Sequence, residues 1–269
     1  MRKPFKSFVA LAGLPRTGST LLSALLDQNP KIHVEGNSGL CQIMWDTYNS
    51  CRKNCAEQLK LAGREHTTFD LVSEIPSIYY KNNTPEESIV VDKCRSWTAQ
   101  PNVEMINKFI GKETKVVVLV RPLTEIVSSF VKAMHRNNMY TEEKERLLLF
   151  PNSNPIMNAL EGEVWARNNN KDNKFLFVEY KNLVKNPTAT LKAVYKFCGW
   201  EAFIHNVNNV EAKFFITEET SDTSSVSYGL EDLHKVRRKI KLRKYNVTLL
   251  PETVRNIDYI EGRAYANSR

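Results

Sequence analysis

The residues from 8 to 27 combine an apolar run, two glycines, an arginine, a cluster of hydroxyl side chains and a second apolar run. The first run has the length of a buried strand, and the apolar residues after Thr20 recur at helical spacing. A strand, a tight loop and a helix in this order direct backbone N–H groups and a helix N-terminus at one point, where phosphate-like anions bind. The loop residues predicted to hold such an anion are Pro15, Arg16, Thr17, Gly18, Ser19 and Thr20.

This loop is close to a nucleotide-binding Walker A motif but differs from it at the most informative position. Gly13 and Gly18 have the Walker A spacing, yet Ser19 stands where that motif requires lysine. The cation is instead Arg16, whose planar fork of donors suits phosphate or sulfonate oxygens. The loop therefore favours an anion-binding relative of the P-loop proteins over a kinase or nucleoside triphosphatase.

Composition places few limits on the ligand. The chain has 269 residues, 42% hydrophobic and 25% charged, as in an ordinary globular protein, and we treat residues 1–269 as one domain. The formal net charge of +8 suits an anionic ligand, an acidic protein or nucleic acid. Much of this excess lies in residues 235–244, which we expect to form a solvated helix face.

The cysteines and the N-terminal residues predict a cytoplasmic setting. The five cysteines are an odd number and match no zinc-binding spacing, which favours a reducing compartment and predicts no metal site. The first apolar run is too short, and too broken by glycine and proline, for a signal sequence or a membrane span. We therefore expect no membrane partner.

Strand-like and helix-like runs alternate along the chain and predict an α/β fold with a mainly parallel central sheet between two helical layers. The predicted strands begin near residues 8, 31, 88, 115 and 175. A helix over residues 69–80 is expected to break near Pro76, and a helix is expected around residues 161–167. Ligands of such sheets collect at the carboxyl ends of the strands.

Three segments together resemble the family of sulfotransferases that use 3′-phosphoadenosine 5′-phosphosulfate (PAPS). Residues 14–21 resemble the loop that binds the 5′-phosphosulfate in tyrosylprotein and bacterial members. Residues 118–122, with Ser129 eight positions after Arg121, resemble the 3′-phosphate site. Residues 177–183 and the helix that follows resemble the segment containing Tyr-Glu-Asp-Leu. The resemblance covers most of the chain in order and implies the P-loop-like sulfotransferase fold.

The resemblance implies PAPS as donor and adenosine 3′,5′-bisphosphate (PAP) as product, with two anion sites. The loop at Arg16 would hold the sulfonate end. Arg121 and Ser129 would share the 3′-phosphate, since an arginine at a strand end and a hydroxyl two turns along the next helix can reach one group. The ring of Tyr180 would flank the adenine. Residues 217–245, with Ser224 and Ser225, would form a lid over the nucleotide.

Four residues are candidates for the chemical step. Arg16 and Lys93 are the cations expected to stabilise charge on the transferring sulfonate. Glu35 is the candidate base that takes the proton from the acceptor, and His33, two residues before it on the same strand face, is its competitor.

Two other functions stay open at this point. The first is a P-loop nucleotide kinase or other phosphotransferase. The second is a non-catalytic protein that binds anions or, less favoured, nucleic acid through its C-terminal basic run. The acceptor would be a hydroxyl or amine compound, and no segment encodes which one.

Overall fold

A five-stranded sheet forms the centre of the fold, with all five strands where the apolar runs predict them. The computed structural model describes residues 5–82, 84–85, 88–150, 155–211, 236, 238–242 and 247–266. The strands are β1 (Phe5–Gly13), β2 (Ile32–Glu35), β3 (Ser88–Lys93), β4 (Lys115–Val120) and β5 (Phe175–Glu179). Their order in the sheet is β2-β3-β1-β4-β5, and every neighbouring pair is parallel.

Helices fill the connections between these strands. Between β1 and β3 lie α1 (Ser19–Leu26), α2 (Leu40–Asn49), α3 (Ala56–Leu61) and α4 (Thr67–Tyr80). After β3 come a 3₁₀ turn (Arg95–Thr98), α5 (Gln100–Met105), α6 (Leu123–Arg136), α7 (Glu142–Leu147) and α8 (Pro155–Asn168). After β5 come α9 (Tyr180–Lys185), α10 (Pro187–Cys198) and α11 (Pro251–Ala264).

The two faces of the sheet are buried by different helices, which confirms the predicted three-layer α/β arrangement. Phe8 and Ala10 of β1 face a cluster that includes residues of α2, α4 and α5. Val9 and Leu11 of the same strand face α1, α9 and α10. Because side chains alternate along a strand, a segment covered on both faces is apolar throughout, as β1 is from Phe8 and β4 is from Val116. No helix among the described residues is long and apolar enough to cross a membrane.

Three local predictions were wrong or incomplete. Helix α4 continues through Pro76, because the buried proline ring packs in the core and offsets the lost backbone hydrogen bond. The predicted helix near residues 161–167 is longer, and α7 and α11 were not predicted. In the basic run, the described residues 238–242 are not helical. Arg238, Lys239 and Lys241 are exposed there, while Ile240 packs against the α1 and α10 side of the core.

The last residue of β1 fixes how closely β1 and β4 approach before the anion-binding loop begins. Gly13 has φ +135°, and a Cβ atom there would lie 2.4 Å from the carbonyl oxygen of Leu119. Backbone cannot yield to such a contact as a flexible side chain can. Gly13 is therefore required at this position both by conformation and by space.

We expect Gly13→Ala to lower the free energy of unfolding by about 3 kcal/mol, because it adds backbone strain to an overpacked contact. Urea denaturation measures the change. Gly262→Ala is the matched control, since that glycine lies in exposed α11 with open space around it. This control should be neutral or slightly stabilising, and equal effects of the two variants would contradict the explanation.

Candidate active site

The loop between β1 and α1 has an unusual backbone shape. Arg16 and Gly18 both have left-handed φ, at 67° and 93°. The Thr17 hydroxyl is buried and donates a hydrogen bond to the Leu14 carbonyl at 2.7 Å, so this side chain shapes the loop. Ser19 begins α1. The loop thus leads directly into the N-terminus of α1, as predicted for an anion site.

The two arginines predicted for separate anion sites are in direct contact. Arg121 Nη1 donates to the carbonyl oxygen of Arg16 at 2.8 Å, and Arg16 Nε donates to Ser129 Oγ at 3.0 Å. Ser129 is buried on α6, two turns after Arg121. One hydrogen-bonded group therefore joins the loop after β1 to the end of β4. The Arg16 side chain, predicted for the first anion site, thus contacts Ser129, which is predicted for the second.

Tyr180 and Glu125 hold Arg121 in place. The Arg121 guanidinium lies 4.0 Å from the centroid of the Tyr180 ring, in cation–π contact. Its Nε donates to Glu125 Oε2 at 2.9 Å, in the first turn of α6. The side chain of Arg121 is only 2% exposed. A guanidinium that lies over a ring and also donates hydrogen bonds through Nε and Nη1 is restrained in its orientation.

Tyr180 also packs against the anion-binding loop. A Cβ atom on Gly18 would lie 2.6 Å from Cδ2 of the Tyr180 ring. Only glycine therefore fits where the loop passes the first residue of α9. Tyr180 itself is 8% exposed. It contacts both Gly18 and Arg121, and the predicted contact with adenine stays a prediction.

Lys93 ends β3 on the side of the sheet that faces α1. Its Nζ donates to Thr20 Oγ1 at 3.2 Å, which links it to the first turn of α1. Burial lowers the pKa of Lys93 to about 8, and the nearby charge of Arg95 adds to this effect. A lysine so placed is partly deprotonated just above neutral pH.

Glu35 and His33 lie on the other face of the sheet, on β2. Glu35 is the register partner of Asp92 in β3, one residue before Lys93. His33 Nε2 lies 3.8 Å from Glu35 Oε2, and it is buried without a hydrogen bond. The edge of the His33 ring packs against Tyr80. The structure thus brings both candidate bases to the sheet edge where Lys93 ends the neighbouring strand.

Two residues at the carboxyl end of the sheet, Asp92 and Glu125, are hard to recognise from sequence. Two other predicted residues are not among those that the structure describes. Asp92 stands out only as a carboxylate within an apolar strand, and Glu125 only by its spacing of four from Arg121. Ser224 and Ser225 lie outside the described residues, as does most of the predicted lid at 217–245. Among the described residues, no group of three histidine, cysteine or acidic side chains is arranged to bind a metal.

Comparison with solved structures identifies the fold. The sulfotransferase domain of the curacin biosynthetic pathway is 18% identical with a TM-score of 0.51, over 97% of this chain and 99% of that one. Sulfotransferase STF9 from Mycobacterium avium is 14% identical with a TM-score of 0.53, over 99% and 77%. Mouse sulfotransferase SULT7A1, complexed with PAP, is 15% identical with a TM-score of 0.52, over 100% and 87%. At these identities the likeness concerns the fold.

Sequence comparison identifies the family. A search of curated proteins gives no significant match. The profile of the sulfotransferase family, however, matches residues 9–204, a span that contains the β1 loop, Lys93, Arg121, Ser129 and Tyr180. This match does not favour a kinase or a non-catalytic anion-binding protein. Since it extends over well more than half of the residues, the chain belongs to the sulfotransferase family.

Proposed function

We propose that the protein transfers a sulfonate group from PAPS to a hydroxyl or amine acceptor by in-line displacement. The acceptor oxygen or nitrogen forms a bond to sulfur while the bond from sulfur to the phosphate oxygen breaks. The acceptor proton passes to a protein base, and PAP leaves. The contact of Arg121 with the Arg16 backbone, together with the contact of the Arg16 side chain with Ser129, supports this proposal, because it joins residues predicted for the two anion sites.

The nucleotide half of the proposed site lies at the ends of β1 and β4. Arg121 and Ser129 would hold the 3′-phosphate, with Tyr180 and Glu125 keeping the guanidinium in position. The backbone of the loop and the first turn of α1, at Ser19 and Thr20, would hold the 5′-phosphate. The complex of SULT7A1 with PAP supports this choice of nucleotide.

The transfer half lies at the ends of β2 and β3. Sulfonyl transfer needs little covalent chemistry from the protein, so positioning and charge stabilisation should dominate, as in phosphoryl transfer. Arg16 and Lys93 would stabilise the charge that develops on the sulfonate and the bridging oxygen. Glu35 would accept the proton of the acceptor, since it is a carboxylate, 32% exposed, at the adjacent strand end.

Nucleotide selectivity tests the proposed function directly. We expect PAP to raise the melting temperature by several degrees at saturating concentration, and ATP with magnesium to raise it far less. A panel of phenol, alcohol and amine acceptors with PAPS would then identify the acceptor class by release of PAP. Equal stabilisation by PAP and ATP would contradict the proposal.

Removal of Arg16 should weaken PAPS binding. Loss of a charge-assisted hydrogen bond costs about 1.5–3 kcal/mol, so Arg16→Ala should raise the Kd for PAPS about 10- to 100-fold in calorimetry. Arg255→Ala is the matched control, because it removes the same charge from an exposed position on α11. Equal affinity in the wild type and Arg16→Ala would remove this residue from the site.

The pH dependence of sulfonate transfer should show the deprotonation of Lys93. Because the free protein has a Lys93 pKa of about 8, we expect kcat/KM to fall as the pH rises through 8, where the amine loses its charge. Lys93→Arg should keep its charge and abolish this decline. Lys174→Arg is the control, since burial also lowers the pKa of Lys174 but that residue lies at the other end of the sheet. A decline that persists in Lys93→Arg would exclude Lys93 as its source.

Substitution of Glu35 distinguishes the two candidate bases. Glu35→Gln should lower kcat about 10²- to 10⁴-fold, while His33→Ala should have a much smaller effect. Glu179→Gln provides a control at an exposed strand end on β5. Full turnover in Glu35→Gln with loss in His33→Ala would pass the role of base to His33.

A further inference from the structure

Asp92 is a carboxylate completely buried at the active edge of the sheet. It occupies the position before Lys93 in β3 and is 0% exposed. The Tyr80 hydroxyl donates to its Oδ2 at 2.5 Å, and Trp97 Nε1 donates to its Oδ1 at 2.6 Å. These donors come from the last residue of α4 and from the 3₁₀ turn after β3. One side chain thus ties two separate elements to the end of β3.

Burying a charged carboxylate costs desolvation free energy, so a purely space-filling role explains Asp92 poorly. Burial raises the pKa of Asp92 to about 6, while hydrogen bonds from Ser38, Tyr80 and Trp97 act against this shift. The neighbouring charge of Glu35 raises the pKa further. An apolar residue of similar size would avoid the desolvation cost altogether. The hydrogen-bond donors keep the carboxylate charged at neutral pH. The carboxylate in turn holds those donors in position.

The segment restrained in this way is the loop that follows Glu35. The backbone N–H of Ser38 donates to the Lys93 carbonyl at 3.2 Å, and Leu40 N donates to Ser38 Oγ at 3.0 Å. Gly39 N donates to the Tyr79 hydroxyl at 3.2 Å, next to Tyr80. The loop therefore bonds to β3 and to the end of α4, the two elements that Asp92 joins.

We propose that Asp92 is a positioning residue for the acceptor half of the site, which holds residues 36–40, and with them Glu35, against the end of β3. This inference rests on the proposed function, because the importance of Glu35 comes from that reaction. The proposed nucleotide half lies at the ends of β1 and β4, on the loop backbone, Arg121 and Ser129. Loss of Asp92 should therefore affect transfer more than nucleotide binding.

The test compares Asp92→Asn with the wild type in two measurements on the full chain. Hydrogen–deuterium exchange should show at least tenfold faster exchange at the amides of Ser38, Gly39 and Leu40, with unchanged exchange over residues 14–20. With the acceptor identified by the panel, kcat should fall at least tenfold, while the Kd for PAP stays within twofold of the wild type.

Glu145→Gln is the matched control. Glu145 is also 0% exposed and accepts hydrogen bonds from the Tyr140 hydroxyl at 2.9 Å and Leu250 N at 2.7 Å, but it lies on α7. This variant should lose stability without faster exchange at residues 38–40. If Asp92→Asn does not fold, Tyr80→Phe removes one hydrogen-bond donor to Asp92. It should produce a smaller increase in amide exchange at residues 38–40 and a smaller fall in kcat.

Three results would overturn the proposal. These are unchanged exchange at residues 38–40 in Asp92→Asn and Tyr80→Phe, the same faster exchange in Glu145→Gln, or a rise in the Kd for PAP as large as the fall in kcat. Failure of the wild type to bind PAP would instead overturn the proposed function, and this role with it. PAP binding together with unchanged loop exchange would overturn the role of Asp92 alone.

Discussion

The contact between two arginines is the constraint on which the rest of the site depends. Arg121 donates to the backbone of Arg16, and Arg16 donates to Ser129, so both side chains are held at the ends of β1 and β4. Glu125 and the Tyr180 ring restrain the Arg121 guanidinium further. In the proposed reaction, donors held in this way would meet the charged nucleotide without rearranging, which is the general basis of electrostatic preorganisation.

The same contact explains how a strained loop persists. An arginine with left-handed φ costs about 1–3 kcal/mol, and such residues survive only where neighbouring contacts fix them. Here the Arg16 carbonyl is held by Arg121 and its side chain by Ser129. The Tyr180 ring presses against Gly18 on the other side of the loop. The shape of the loop thus comes from α6 and α9 as much as from its own sequence.

The sequence predicts well whatever depends on local pattern, and poorly whatever depends on distant partners. Apolar runs identify all five strands, and the glycines and hydroxyl residues after β1 identify the turn into α1. The anion-binding role of Arg121 and Ser129 stays a prediction. Helix α4 tolerates Pro76 because of packing in the core. The proposed role of Asp92 depends on hydrogen-bond donors in α4 and in the 3₁₀ turn. The contact of Tyr180 with Gly18 joins residues far apart in the chain. Such contacts follow from the assembled fold, and no local spacing encodes them.

The strand order has a consequence for the direction in which the sulfonate moves. Glu35 ends β2 and Lys93 ends β3, while the loop follows β1 and Arg121 follows β4. In the proposed reaction the two substrates therefore occupy opposite flanks of β1. In that reaction the sulfonate would therefore move across the end of β1, from one flank to the other.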